Sequence, residues 1–181
     1  IFMSTATIIL IIIGAIIGVV VILGLVMSKQ MTVEKSITVK KTKQQVFDYV
    51  KLIKNQDNFS VWNMKDPNMK KEYRGTDGQV GFVYTWDSTS DKNVGAGEQE
   101  IKAIKEGESI DFELRFKRPM ENTSFGKMST ASISANETKV TWGFYGDMKF
   151  PMNIMKGMFQ NMLGKDMEKS LGNLKTILDK N

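Results

Sequence analysis

The order of apolar and polar positions divides the chain into three stretches. Ile8 to Val26 (IILIIIGAIIGVVVILGLV) runs for 19 residues without a charged or strongly polar side chain. At about 1.5 Å of rise per residue such a helix spans roughly 28 Å, close to the hydrocarbon thickness of a bilayer. A mixed, largely β-branched pattern follows from Thr32 to Lys40 and predicts a strand. Thr42-Lys-Gln-Gln45 then fits a capping box, and Val46, Phe47, Val50 and Ile53 follow at helical spacing. A second short helix is expected over Gln56–Trp62, and Asp66-Pro67 marks a turn.

Six strand-like segments come next: Met69–Arg74, Val80–Asp87, Gly97–Lys105, Ser109–Lys117, Phe125–Ser134 and Lys139–Tyr145. In IDFELRFK, Ile110, Phe112, Leu114 and Phe116 alternate with charged residues, as in a sheet with one apolar and one wet face. From about Pro151 the period changes. Met155, Met158, Phe159, Met162, Met167, Leu171, Leu174 and Leu178 predict one apolar stripe along a long helix.

Gly75, Gly78 and Gly81 raise the question of a phosphate loop. A P-loop needs Gly-Lys-Ser/Thr leading into a helix, whereas this stretch leads into the strand pattern Val80-Phe82-Tyr84-Trp86. Gly95-Ala96-Gly97 also enters a strand. Asp77-Gly78 is instead expected to be a hairpin turn.

Charge alters the picture of the first stretch. A secretory signal needs a basic start, an apolar core of about 7–15 residues and a small-residue cleavage site. The first seven residues carry no charged side chain and LVMSKQ offers no such site, so a retained anchor is expected. The expected division is residues 1–28 as anchor and 29–181 as a domain. Seven lysines between Ser28 and Ser60 stand against three acidic residues, which favours the cytoplasmic side for the domain. The net charge of +5 suits anionic lipid headgroups and equally a solvated, mildly basic surface. Scattered lysines without clustered aromatics argue against nucleic acid.

With no Cys and no His, the chain has no thiolate nucleophile, no imidazole base and no ligand of either kind for a metal. No cofactor is expected. Glu98 and Glu100 share one side of a strand, but their neighbours Gln99 and Ile101 carry the pattern of the buried side. Both glutamates are expected to point outward, and no catalytic residue is assigned.

An α+β order of strand, two short helices, six strands and a long helix resembles the SRPBCC superfamily, the START-like or Bet v 1-like helix-grip proteins. It is most similar to the branch described as polyketide cyclase/dehydrase and lipid transport. The stretches that carry the resemblance are VEKSITVKKTKQQVFDYV, VWNMKDPNMKKEYRGTDGQVGFVYTW, GAGEQEIKAI, IDFELRFKRP, TKVTWGFYG and LGNLK. The resemblance implies a curved antiparallel sheet of about seven strands around the C-terminal helix, and a cavity between them for a lipid or other hydrophobic small molecule. It would be lined by Tyr84, Trp86, Gln99, Ile101, Phe112, Leu114 and Phe116, with Trp142 and Phe144 facing Met155, Met158 and Met162. The same residues could instead fill a closed core.

Three functions remain in view. The first is a membrane-anchored binding protein for an apolar molecule. The second is a non-catalytic accessory subunit of a membrane complex, since Gly14 and Gly18 give the anchor a small-residue face for another membrane helix. The third is a cyclase- or dehydratase-like enzyme, for which no basic or nucleophilic constellation stands out.

Overall fold

The computed structural model describes residues 4–180; residues 1–3 of the expected anchor segment and Asn181 lie outside the described residues. Helix α1 covers Thr5–Val26 and is capped by Ser4, whose hydroxyl accepts from the Thr7 amide. It is long and apolar enough to cross a membrane, and its large side chains from Ile8 to Val26 are all exposed.

Strand β1 (Gln30–Val39) leads into α2 (Lys43–Val50), where Thr42 and Gln45 form the expected capping box. The helix expected over Gln56–Trp62 is broken. A 3-10 turn at Ile53–Asn55 precedes α3 (Gln56–Phe59) and α4 (Val61–Lys65), with Ser60 extended between the two helices. The break frees the Val61 amide to donate to the buried Ser170 hydroxyl at 3.0 Å, which ties the kink to the C-terminal helix.

The remaining strands are β2 (Lys70–Arg74), β3 (Val83–Asp87), β4 (Ala96–Lys105), β5 (Ser109–Arg118), β6 (Asn122–Ser134) and β7 (Glu137–Asp147). They form one antiparallel sheet in the order β1-β7-β6-β5-β4-β3-β2. After a 3-10 turn at Met152–Met155, α5 runs from Lys156 to Lys180. This is an α+β helix-grip architecture of seven strands around one long helix.

The glycine stretch is a wider connection than a two-residue hairpin. Residues 75–82 separate β2 from β3, and Gly75, Gly78 and Gly81 all take positive φ (86°, 77° and 87°). Asp77 explains the shape, since its carboxylate accepts from the amides of Ile53 (2.8 Å) and Lys54 (3.1 Å). The loop therefore caps the 3-10 turn before α3. Val80, expected to open a strand, is exposed, and β3 begins three residues later.

The expected stripe on α5 is divided. Leu171, Leu174 and Leu178 are buried against a core containing Val39, Val46, Phe47, Ile101, Ile110, Met128 and Val140, and Met167 is buried as well. In the first half of the helix, other residues face β1. Gln160 donates to the Thr32 carbonyl (3.0 Å), and Gly164 lies against Val33 and Lys35. At 100° per residue, Met158 and Met162 fall on the opposite side.

Candidate ligand groove on the inner face of the sheet

The sheet face turned toward α5 is fixed by Val33 and Lys35, which approach Gly164. Side chains alternate between faces, and residues paired across strands share a face, so the register carries this inner face through the sheet. Val33 pairs with Phe144 and Lys35 with Trp142; Phe144 pairs with Gly126, and Gly126 with Phe112. Phe112 pairs with Ile101, Leu114 with Gln99, and Gln99 with Tyr84, while Phe116 and Trp86 both oppose Gly97. Nine residues singled out in the sequence thus share one face: Tyr84, Trp86, Gln99, Ile101, Phe112, Leu114, Phe116, Trp142 and Phe144.

Burial along this face is graded. Ile101 and Phe112 are buried, as are Tyr84, Trp86 and Gln99, whereas Leu114, Phe116, Trp142 and Phe144 are partly uncovered. The uncovered end is the one nearest the start of β1, since Leu114 pairs with Ser124, Ser124 with Gly146, and Gly146 with Met31. The three methionines expected to face it are more exposed, Met155, which ends the 3-10 turn before α5 rather than lying in the helix, at 43%, Met158 at 55% and Met162 at 47%. Trp142 packs edge-on against Phe59 of α3, 6.0 Å between centroids. The inner face is therefore closed where α2 and the second half of α5 cover it, and its apolar side chains are less covered beside the first half. Two open surface depressions lie elsewhere, one lined by Met31, Phe125 and Tyr145, the other by Lys43, Glu108 and Lys127.

Small residues that the sequence reading did not single out shape the groove floor. A Cβ at Gly97 would fall 2.6 Å from the Trp86 ring, and one at Gly126 would fall 3.2 Å from Leu114. With no side chain there, the aromatic rings lie down on the strands. Trp86 donates its indole N–H to the Val94 carbonyl (3.1 Å) and meets Phe116 edge-on at 5.8 Å. The signal was present in the alternation Ser124-Gly126-Met128, but small residues do not register in an apolar pattern.

One polar atom on this face has no partner. The Tyr84 hydroxyl is buried and makes no hydrogen bond among the described residues. Burial first, and the Asp57 carboxylate second, push its pKa well above the usual phenol range, so it stays a neutral donor. An unpaired buried hydroxyl carries a desolvation cost of about 1–3 kcal/mol, which a ligand acceptor would relieve.

The outer face holds the carboxylates. Glu98 and Glu100 bind Arg115 at 2.6 and 2.8 Å, and Glu113 also bonds to Arg115. Hydrogen bonds from Arg115 and then Lys102 hold Glu100 below the usual carboxylate range. The pair points away from the groove as expected, but is held under Arg115 rather than free in solvent. Among the described residues no group of His, Cys, Asp and Glu is arranged to hold a metal.

A family model described as polyketide cyclase/dehydrase and lipid transport matches residues 30–179. The chain belongs to this family. The match takes in the whole sheet and all but the last residue of α5 and begins just beyond α1. No curated protein sequence matches the chain. Among solved structures, the Aha1 dimer from Colwellia psychrerythraea is similar with a TM-score of 0.57 at 12% identity, covering 82% of this chain and 96% of that one. XoxI from Bacillus cereus matches with 0.59 at 10% identity, over 82% and 95%. Ara h 8.0201 matches with 0.53 at 14%, over 84% and 99%. At these identities the likeness concerns the helix-grip fold alone, and family membership leaves function to be argued from the site.

Proposed function

We propose that this family member is a membrane-anchored binding protein that holds a lipid or another hydrophobic small molecule between the sheet and the first half of α5. The observation that carries the reading is the graded inner face, apolar and partly uncovered at Leu114, Phe116, Trp142 and Phe144, with an unpartnered buried hydroxyl on the same face at Tyr84. Ligand sites combine a mainly apolar lining with a few placed polar groups in this way. The methionines favour the same reading. Met155, Met158 and Met162 are exposed around the start of α5, and methionine side chains adapt to occupants of irregular shape.

Helix α1 would hold the domain at the bilayer, and the excess of lysine after it favours the cytoplasmic side. A tether raises the effective concentration of a membrane-derived ligand. No enzymatic step is assigned, because the carboxylates lie on the other face of the sheet and the chain has no His or Cys.

The test is uptake of a fluorescent fatty-acid analogue by the detergent-solubilised full chain. Saturable binding at one site per chain, weakened by Leu114→Trp, is expected. No uptake by the unmodified chain would remove the binding reading and leave the accessory-subunit alternative, in which the anchor joins another membrane helix through Gly14 and Gly18.

A further inference from the structure

We infer that the corner between β7 and α5 sits in the headgroup layer of the bilayer that α1 crosses, with Phe150 and Met155 reaching the upper acyl chains. This deepens the proposed function and rests on its reading of α1 as a membrane span.

Gly24 is the only described residue of α1 that is buried. It is covered by the Phe150 ring and by Ile154, and a Cβ at position 24 would collide with that ring. Three polar ties hold the same junction. The buried Asn153 amide donates to the carbonyls of Gly24 (2.7 Å) and Met27 (3.2 Å), Lys156 Nζ donates to the Ser28 carbonyl (3.1 Å), and the Met148 amide donates to the Lys29 carbonyl (2.8 Å). The domain therefore docks on the last turn of the apolar helix instead of hanging from a free linker.

That contact sets a depth. Gly24 lies two residues inside the end of α1, about 3 Å of helix rise, between Leu23 and Leu25, both exposed. A helix of 22 residues spans about 33 Å against a hydrocarbon layer of about 30 Å, so its last turn lies at the hydrocarbon edge. Whatever covers Gly24 shares that level. Phe150 is 45% and Met155 43% exposed, so the corner presents apolar surface continuous with the anchor. The exposed Lys29 and Lys149 flank it, with stems long enough to carry their charges to lipid phosphates. The less covered end of the inner face lies at this same end of the sheet, so a ligand would pass between bilayer and groove past Met155 without crossing water.

The absence of cysteine makes the test direct, because a single introduced thiol can be labelled selectively. Full chains carrying Met155→Cys, Ile16→Cys or Ile133→Cys, the last on β6 at the far end of the sheet, are labelled with an environment-sensitive fluorophore in vesicles of mixed neutral and anionic lipid. Quenching is read with nitroxides placed near the headgroup or deep in the acyl chain. Strong shallow quenching at Met155→Cys, deep quenching at Ile16→Cys and none at Ile133→Cys support the inference. Deep quenching at Ile16→Cys with Met155→Cys as unquenched as Ile133→Cys overturns the seated corner and leaves the anchor intact. No quenching at Ile16→Cys overturns the membrane span and this inference with it.

Discussion

Asn153, on the turn before α5, donates its side-chain amide to the carbonyl oxygen of Gly24 in α1 at 2.7 Å, across 129 residues of sequence. Asn153 is fully buried, and its own Oδ1 has no partner. A buried amide that is only half satisfied marks a joint held by specific contacts.

Replacing it should loosen the joint and spare the core. Asn153→Ala removes the donor to the Gly24 and Met27 carbonyls, at about 1–3 kcal/mol of local stability. Tryptic cleavage after the exposed Lys29, measured on vesicle-bound protein, is expected to speed up several-fold, with the denaturant midpoint of the sheet domain little changed. An unaltered cleavage rate would show that Asn153 does not hold the two parts together.

The Tyr84 hydroxyl offers a contrast between stability and binding. In Tyr84→Phe the orphaned group is gone, so the ligand-free protein should be as stable as the unmodified chain or more so, by up to about 1–3 kcal/mol. Binding of an apolar ligand that carries a hydrogen-bond acceptor should weaken. A loss of stability with unchanged binding would mean that the hydroxyl serves the fold.

The graded burial of the inner face predicts unequal costs for truncation. Phe112 is 2% exposed, and Phe112→Ala should cost about 3–5 kcal/mol through lost transfer energy and a new void. Phe144 is partly uncovered, so Phe144→Ala loses fewer packing contacts and should cost roughly half that or less. Denaturant midpoints of the two variants check the gradient; equal losses would indicate a closed core at both positions.

Acid should release one loop through Asp66. Its carboxylate accepts from Ser88 (2.6 Å), Ser90 (2.7 Å) and the Asn68 amide (3.1 Å). Those bonds, Ser88 first, lower its pKa below the usual carboxylate value. With the folded pKa depressed, the unfolded chain takes up the proton first as pH falls. The contribution is therefore complete above the ordinary carboxylate pKa of about 3.9 and lost as pH drops through the lower folded value. Asp66→Asn should be less stable at neutral pH and show a shallower decline in that acid window. Parallel pH profiles for both proteins would exclude Asp66 as a contributor.

Local rules carried most of the fold. The alternation of Ile110, Phe112, Leu114 and Phe116 placed β5 and its inner face, and Thr42 with Gln45 placed the start of α2. Long-range partners were not legible. Nothing near Ser60 announces that Val61 will bond to Ser170, and nothing near Asp77 shows that it will cap the turn at Ile53. The groove was read from the inner-face residues, but its open end depends on Gln160 and Gly164 occupying the side of α5 next to β1, which turns Met158 and Met162 away. An apolar periodicity cannot register a glycine or a glutamine chosen for close approach. The docking of Phe150 on Gly24 was hidden for the same reason, since in sequence Gly24 looks like any other small residue in the anchor.

The groove beside the first half of α5 should hold an apolar molecule, and native mass spectrometry of the full chain released from lipid nanodiscs would detect that molecule by its mass. The prediction is one apolar molecule of constant mass per chain, retained at activation energies that strip loosely bound lipid and diminished in Leu114→Trp. A chain that flies at its bare mass under those conditions, or bound mass that Leu114→Trp leaves unchanged, would contradict it.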